Sequence, residues 1–315
     1  MQSSRDEQAT TESNKPETNK SLTSTGQVAY LTRPLHQESV GEIRTLERTS
    51  TSLVTLCLWH KTHEKVVVKE PIDKYRSLPA IRNEYAMLGT TLRGGPNIVP
   101  FRGGYIGTEY NSYVVTSFVA NGSLRDFLLG GSVLTWGAAI QIMDDVRNAL
   151  AFVHSKNVVH RDIKSANILI DSNLRAYLAD FGSARGYNIS GAYRSPQDTK
   201  MGTPGYRSPE AFESIHYAAS DIYSFGIVML EIASRRNVSK HIEDDVDAEE
   251  KWNEAIPNRV SAAISATIPK GIASLILNCC KTSREQRPSE KDILTTLEDC
   301  RKTIDLNVKI TPRPL

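Results

Sequence analysis

A chain of 315 residues, 39% of them hydrophobic, is long enough to bury the core of one two-lobed domain or of two modest domains. Its 38 Lys and Arg against 36 Asp and Glu leave a formal charge of +2, which lacks the basic excess of a dedicated nucleic-acid surface. Cys57, Cys279, Cys280 and Cys300 follow no zinc-like spacing, and no run approaches the roughly 20 apolar residues that cross a bilayer, so a reducing compartment is expected, cytoplasmic and/or nuclear, with no signal peptide and no membrane partner.

Residues 1 to about 26 carry almost no large apolar side chain and are expected to be disordered, within a flexible N-terminal segment 1–38. Ser52–Trp59 and Lys65–Lys69 are short apolar and β-branched runs around the polar turn Lys61–Glu64, which predicts a hairpin. Ile81, Tyr85 and Leu88 recur at helical spacing between Leu78 and Leu92 and put Glu84 on a helix that ends near Gly94-Gly95-Pro96. Tyr113–Phe118 reads as a strand and Asn121-Gly122-Ser123-Leu124 as the turn and helix start that leave it, where a hinge is expected. Ile140, Met143, Val146, Leu150 and Val153 then define a long helix. Asp221–Ala233 is apolar nearly all round, as in a central helix, and Ile293, Leu294, Leu297, Cys300 and Ile304 form the stripe of a last one.

The chemistry-bearing residues lie in order along this frame. Lys69 ends a strand, Glu84 follows on a helix, and His160-Arg161-Asp162-Ile163-Lys164-Ser165-Ala166-Asn167 precedes Asp180-Phe181-Gly182 and the stretch Gly202–Glu210. Any one of these alone is a weak signal; the ordered set resembles the protein kinase family from about residue 40 to 305. The resemblance implies an α+β, two-lobed fold with a kinase domain at 39–305. Its small, mostly antiparallel β lobe spans 39–117 with one key helix, its mainly α-helical lobe spans 121–305, and 306–315 form a C-terminal tail.

The resemblance also implies roles. Asp162 would accept the proton of a substrate hydroxyl and Lys164 would meet the transferring phosphoryl group. Lys69 would pair with ATP phosphates and be held by Glu84, while Asn167 and Asp180 would ligate Mg2+. Val54, Val67 and Leu169 would line the nucleotide, with Thr116 as a small gatekeeper and the backbones of Ser117 and Val119 at the adenine edge. Arg161 would receive a phosphate on Thr199, supplied by an upstream kinase or by autophosphorylation, and Thr203 would belong to the peptide floor. Ser190, Tyr193 and Ser195 are lesser acceptors. Lys164 and Thr203 look like serine/threonine kinases, and HRDIKSANIL is similar to the tyrosine-kinase-like group, which leaves dual specificity open. The expected partners are protein substrates with Ser/Thr acceptors. Glu210 is expected to pair with Arg287, and Asp221 to accept backbone N–H groups of the catalytic loop.

One family element is missing. The usual spacing back from Lys69 places the three glycines of the phosphate loop on Glu47, Thr49 and Ser52. Side chains there cost about 1 to 2 kcal/mol of local strain, or roughly ten- to thirty-fold in affinity if all of it fell on nucleotide binding. The alternative reading is therefore a pseudokinase, a binding or scaffold module with weak or no phosphotransfer. Phosphotransfer to a small molecule is a third reading, disfavoured by Gly202–Glu210. His36, His60, His63, His154, His216 and His241 show no ligand spacing and read as surface or packing residues, and His160 is expected to pack near Phe181. The acidic run Glu243–Glu250 reads as a solvated segment, with docking of a basic partner as the alternative.

Overall fold

The computed structural model describes residues 40–49, 51–73, 75, 77–107, 112–187, 191–194, 201–237, 251, 255 and 268–311. The expectations for residues 1–38, Ser190, Ser195, Thr199, His241 and the acidic run Glu243–Glu250 lie outside the described residues.

The predicted hairpin forms as β2 (Ser52–Trp59) and β3 (Glu64–Pro71), within a five-stranded sheet with β1 (Val40–Arg48), β4 (Phe101–Ile106) and β5 (Ser112–Ser117). The strand order is β1-β2-β3-β5-β4, and every neighbouring pair is antiparallel. Directly paired residues share a face of such a sheet. Val54 pairs with Lys69, Lys69 with Val114, and Val67 with Thr116, so these residues line one face. Cys57, Trp59, Val66, Val68, Tyr113 and Val115 bury themselves together on the other.

The sequence reading did not anticipate β1 and β4. β1 is mostly exposed and largely polar, so it lacks an apolar alternation. β4 carries Gly103 and Gly104, which weaken a strand signal. At Gly104 the glycine is needed, because a Cβ would sit 2.5 Å from Tyr113 O and 2.8 Å from the Tyr85 ring.

Helix α1 (Leu78–Ala86) lies against the Lys69 face and continues as one wide π turn, Met87–Thr91. The hinge leads to α2 (Leu124–Leu129), capped by the Ser123 hydroxyl accepting from Asp126 N at 3.1 Å. Helix α3 (Trp136–Ser155) buries all five residues of its predicted stripe. It is followed by the two-residue strand β6 (Val158–Val159) and by β7 (Ile168–Ile170) and β8 (Ala176–Leu178), which pair with each other. β6 pairs with β9 (Arg185–Gly186), and β10 (Ala192–Arg194) pairs with β11 (Ile215–Tyr217). Helix α4 (Ala218–Ser234) is buried along nearly its whole surface, with α5 (Lys270–Cys279) and α6 (Glu290–Thr303) packed around it. One apolar core runs from Ile81, Leu88 and Val114 through α3 to α4, α5 and α6, so the two lobes share it.

Two features tie the large lobe together. The Arg287 guanidinium, fully buried, grips Glu210 through two hydrogen bonds of 2.6 and 2.8 Å, which is the expected pair. The segment after α6 is not loose: Leu306 O, Val308 O and Leu134 O join it to the start of α3, accepting from Gly137 N, Trp136 N and Ile310 N, and Ile310 is buried.

Candidate active site

The loop His160–Asn167 leaves β6 and is held from below by α4. Asp221 accepts from His160 N at 2.8 Å and from Arg161 N at 2.9 Å, as expected. Arg161 takes a left-handed backbone, φ 69°, which a non-glycine residue holds only when its surroundings fix it. The His160 ring packs edge-on against Phe181 at 4.8 Å, and its Nε2 lies 3.0 Å from Ala179 O.

Three side chains close on Asp162. Its Oδ1 accepts from the Thr203 hydroxyl at 2.7 Å, and its Oδ2 lies 2.8 Å from Lys164 Nζ and 3.0 Å from Asn167 Nδ2. Lys164 also donates to Thr203 Oγ1 at 2.8 Å. The carboxylate is thus fixed in orientation by an ammonium, an amide and a hydroxyl.

Opposite this cluster, Lys69 Nζ lies 2.9 Å from Glu84 Oε2 and 2.7 Å from Asp180 Oδ1. Burial works against the Lys69 ammonium, but the two carboxylates hold its pKa well above the ordinary lysine value. Burial also opposes ionisation of Asp180, yet Lys69 outweighs it and holds that carboxyl down at about 2. Burial drives Glu84 the other way, upward, with the Asp180 charge adding to it against the pull of Lys69. At neutral pH this is a charged lysine facing an ionised Asp180.

The donor chemistry around Asp180 fits a hard cation. Asn167 commits its amide nitrogen to Asp162 O at 2.8 Å and to Asp162 Oδ2, so its carboxamide oxygen is the acceptor end of the group. Among the described residues no three His, Cys, Asp or Glu converge as a metal cluster. A carboxylate and an amide oxygen suit magnesium, which keeps few protein ligands and completes its shell with water and substrate phosphate.

Val54, Val67 and Thr116 stand half-buried on the Lys69 face, and Leu169 on β7 is half-buried beside the hinge, bridged to Ser123. Ser117 donates its amide to Pro100 O at 2.9 Å, while Val119 is buried and its carbonyl accepts from Gly122 N at 3.2 Å. Arg161 donates through Nε to Ser183 O at 2.7 Å, and its guanidinium lies over the Tyr193 ring at 4.6 Å. Its expected partner Thr199 is outside the described residues.

The β1–β2 tip replaces glycines with a hydroxyl cap. Thr49 Oγ1 accepts from Thr51 N at 3.1 Å and from Ser52 N at 2.9 Å, and Thr49 N donates to Ser52 O at 2.9 Å. Two amides of the tip are thereby satisfied within the turn itself.

Sequence reasoning missed three residues. Asn83, next to Glu84, donates to carbonyls of the Phe181–Ala184 segment. His154 is a correction, because it is neither a surface nor a plain packing residue. It is buried between Asp221, 3.0 Å from its Nε2, and Glu290, which contacts its Nδ1. Glu290, at the start of α6, is the third. The asparagine beside Glu84 was the one visible signal, and it said nothing of its partners, which lie in irregular backbone 98 to 101 residues away.

A family model described as protein kinase domain matches residues 42–297. Among curated proteins the chain is similar to a probable serine/threonine-protein kinase, kinX, of Dictyostelium discoideum, 34% identical over 68% of this chain and 19% of that protein. It is also 34% identical to calmodulin-binding receptor-like cytoplasmic kinase 3 of Arabidopsis thaliana, over 59% of this chain and 40% of that one. A RasGEF domain-containing serine/threonine-protein kinase X of Dictyostelium discoideum is 31% identical over 75% of this chain and 24% of its own length. The chain therefore spans less than half the length of each of these three relatives. Among the described residues no helix is long and apolar enough to cross a membrane.

Proposed function

Because this chain belongs to the protein kinase family, we propose that it transfers the γ-phosphoryl group of Mg-ATP to serine or threonine hydroxyls of protein substrates. The observation that carries this reading is the convergence of Glu84 and Asp180 on Lys69 Nζ, at 2.9 and 2.7 Å, across from Asp162, Lys164, Asn167 and Thr203. Lys69, fixed by Glu84, meets the phosphates. Asp162 holds the acceptor hydroxyl and takes its proton on a carboxylate oxygen, and Lys164 stands beside it to balance charge on the transferred group. Thr203 sets the floor on which the substrate hydroxyl lies. Asn167 and Asp180 supply the protein oxygens for magnesium, which when bound neutralises phosphate charge. Val54, Val67, Thr116, Leu169 and the backbones of Ser117 and Val119 form the adenine slot. Arg161 and Thr199 are the proposed regulatory pair, with Tyr193 covering Arg161 when no phosphate is there.

The test is transfer of radiolabelled phosphate from Mg-ATP to the protein itself and to a generic basic protein. Wild type is expected to label both, and Asp162→Asn and Lys69→Met are each expected to lose at least 100-fold. Labelling that survives both substitutions would sink the assignment. A second reading, a nucleotide-binding pseudokinase, is favoured by the Thr49 cap, which takes up amides a phosphate would otherwise meet. It predicts a thermal shift with Mg-ATP and no labelling.

A further inference from the structure

Asp180 has a left-handed backbone, φ 59° and ψ 70°, and the turn Phe181–Ser183 that follows carries a row of carbonyls that, apart from Ala184 N reaching Phe181 O at 3.1 Å, lie outside any regular ladder of donors. Side chains take that place. Arg161 donates to Ser183 O, and Arg185 donates to Gly182 O and Ala184 O. These two cations come from the large lobe.

The small lobe contributes Asn83. Its carboxamide nitrogen donates to Phe181 O at 2.8 Å, to Ala184 O at 2.8 Å and to Gly182 O at 3.2 Å. Two hydrogens serve three acceptors, so one bond is shared. Asn83 is the residue before Glu84 on α1. The turn also lies close on the helix, since a Cβ at Gly182 would sit 3.2 Å from Ala80 Cβ.

We infer that Asn83 is a positioning residue, a latch that fastens the turn beginning at Asp180 to helix α1, so that the Lys69–Glu84 and Lys69–Asp180 pairs form together or not at all. The inference rests on the proposed phosphotransfer for its consequence, because it sets how well Asp180 is aimed at magnesium. The donor must be an amide: a carboxylate at position 83 would face three carbonyl oxygens, and an apolar residue of the same size would remove the donor that α1 contributes to them, leaving Ala184 N on Phe181 O and Arg185 on Gly182 O and Ala184 O.

The experiment compares wild type with Asn83→Leu, Asn83→Asp and the conservative Asn83→Gln in the full chain. Amide hydrogen exchange without nucleotide reads the latch directly. Residues 180–186 and 80–87 are expected to exchange at least ten-fold faster in the Leu and Asp variants, helix α6 to stay at its wild-type rate, and Gln to restore much of the protection. In phosphate transfer the Leu variant is expected to need at least five-fold more Mg2+ for half-maximal rate, with its KM for the protein acceptor unchanged. Wild-type exchange in 180–186 of the Leu variant, or acceleration spread evenly over both lobes, overturns the latch. A wild type that transfers no phosphate counts against the proposed function alone, and the exchange measurement still decides the latch.

Discussion

A histidine closed between two carboxylates keeps its proton where one in water would shed it. Burial opposes the charge on His154, but hydrogen bonds to Asp221 and Glu290 raise its pKa from the ordinary 6.5 to about 9. A folded-state pKa above the unfolded value stabilises fully below about pH 6.5 and loses that contribution as the pH climbs through 9. At its full extent the contribution is on the order of 3 kcal/mol. Asp221 and Glu290 are both held below the usual carboxylate range by His154 against the pull of burial, so their share is present at neutral pH and is lost in acid. The melting temperature of wild type is therefore expected to fall between pH 6.5 and 9, and to fall less in Glu290→Gln, whose His154 has one carboxylate fewer. Equal slopes in the two proteins would refute this. Nothing in the sequence near His154 announced the arrangement, because its partners are 67 and 136 residues away. Lys69, Asp162, Asn167 and Asp180 were legible for the opposite reason: each sits in a short stretch whose neighbours carry the same chemistry.

Elements were legible where one face is buried and the other is not. The stripe of α3 and the apolar runs of β2 and β3 have that contrast, whereas β1 lies exposed along most of its length and offered no pattern to read. The β1–β2 tip holds a threonine hydroxyl where the resemblance leads one to expect glycine, and its hydroxyl cap makes a prediction of its own. Thr49→Gly removes the acceptor for Thr51 N and Ser52 N and frees both amides for phosphate. Mg-ATP affinity in calorimetric titration is expected to rise by about three- to ten-fold, somewhat less than the full strain of a non-glycine loop. Unchanged affinity would mean that the tip does not meet the nucleotide.

At the scale of the whole molecule, stability depends on joints made by residues far apart in sequence. Arg287 and Glu210 are 77 residues apart and both largely buried, and Ser220 adds a third hydrogen bond to the same carboxylate at 2.6 Å. Removing one partner strands the other's charge, so Glu210→Gln or Arg287→Ala is expected to cost about 3 to 5 kcal/mol in urea denaturation, far more than a surface ion pair. A loss under 1 kcal/mol would contradict this account. The two-lobed architecture was readable because the motif order fixes which elements must meet. The continuity of the core between lobes was not, since Ile81, Leu88 and Val114 read simply as small-lobe residues until packed against the rest.

The strap after α6 bears on anyone who would trim this protein for expression. A fragment ended at residue 297, where the family match stops, cuts through α6, and one ended at 305 still strips Leu134, Trp136 and Gly137 of their bonded neighbours. The freshly bared Leu134 and Trp136, now wholly covered, would be an invitation to clumping. A shortened gene product that keeps residue 311 should stay in the supernatant where the shorter ones pellet.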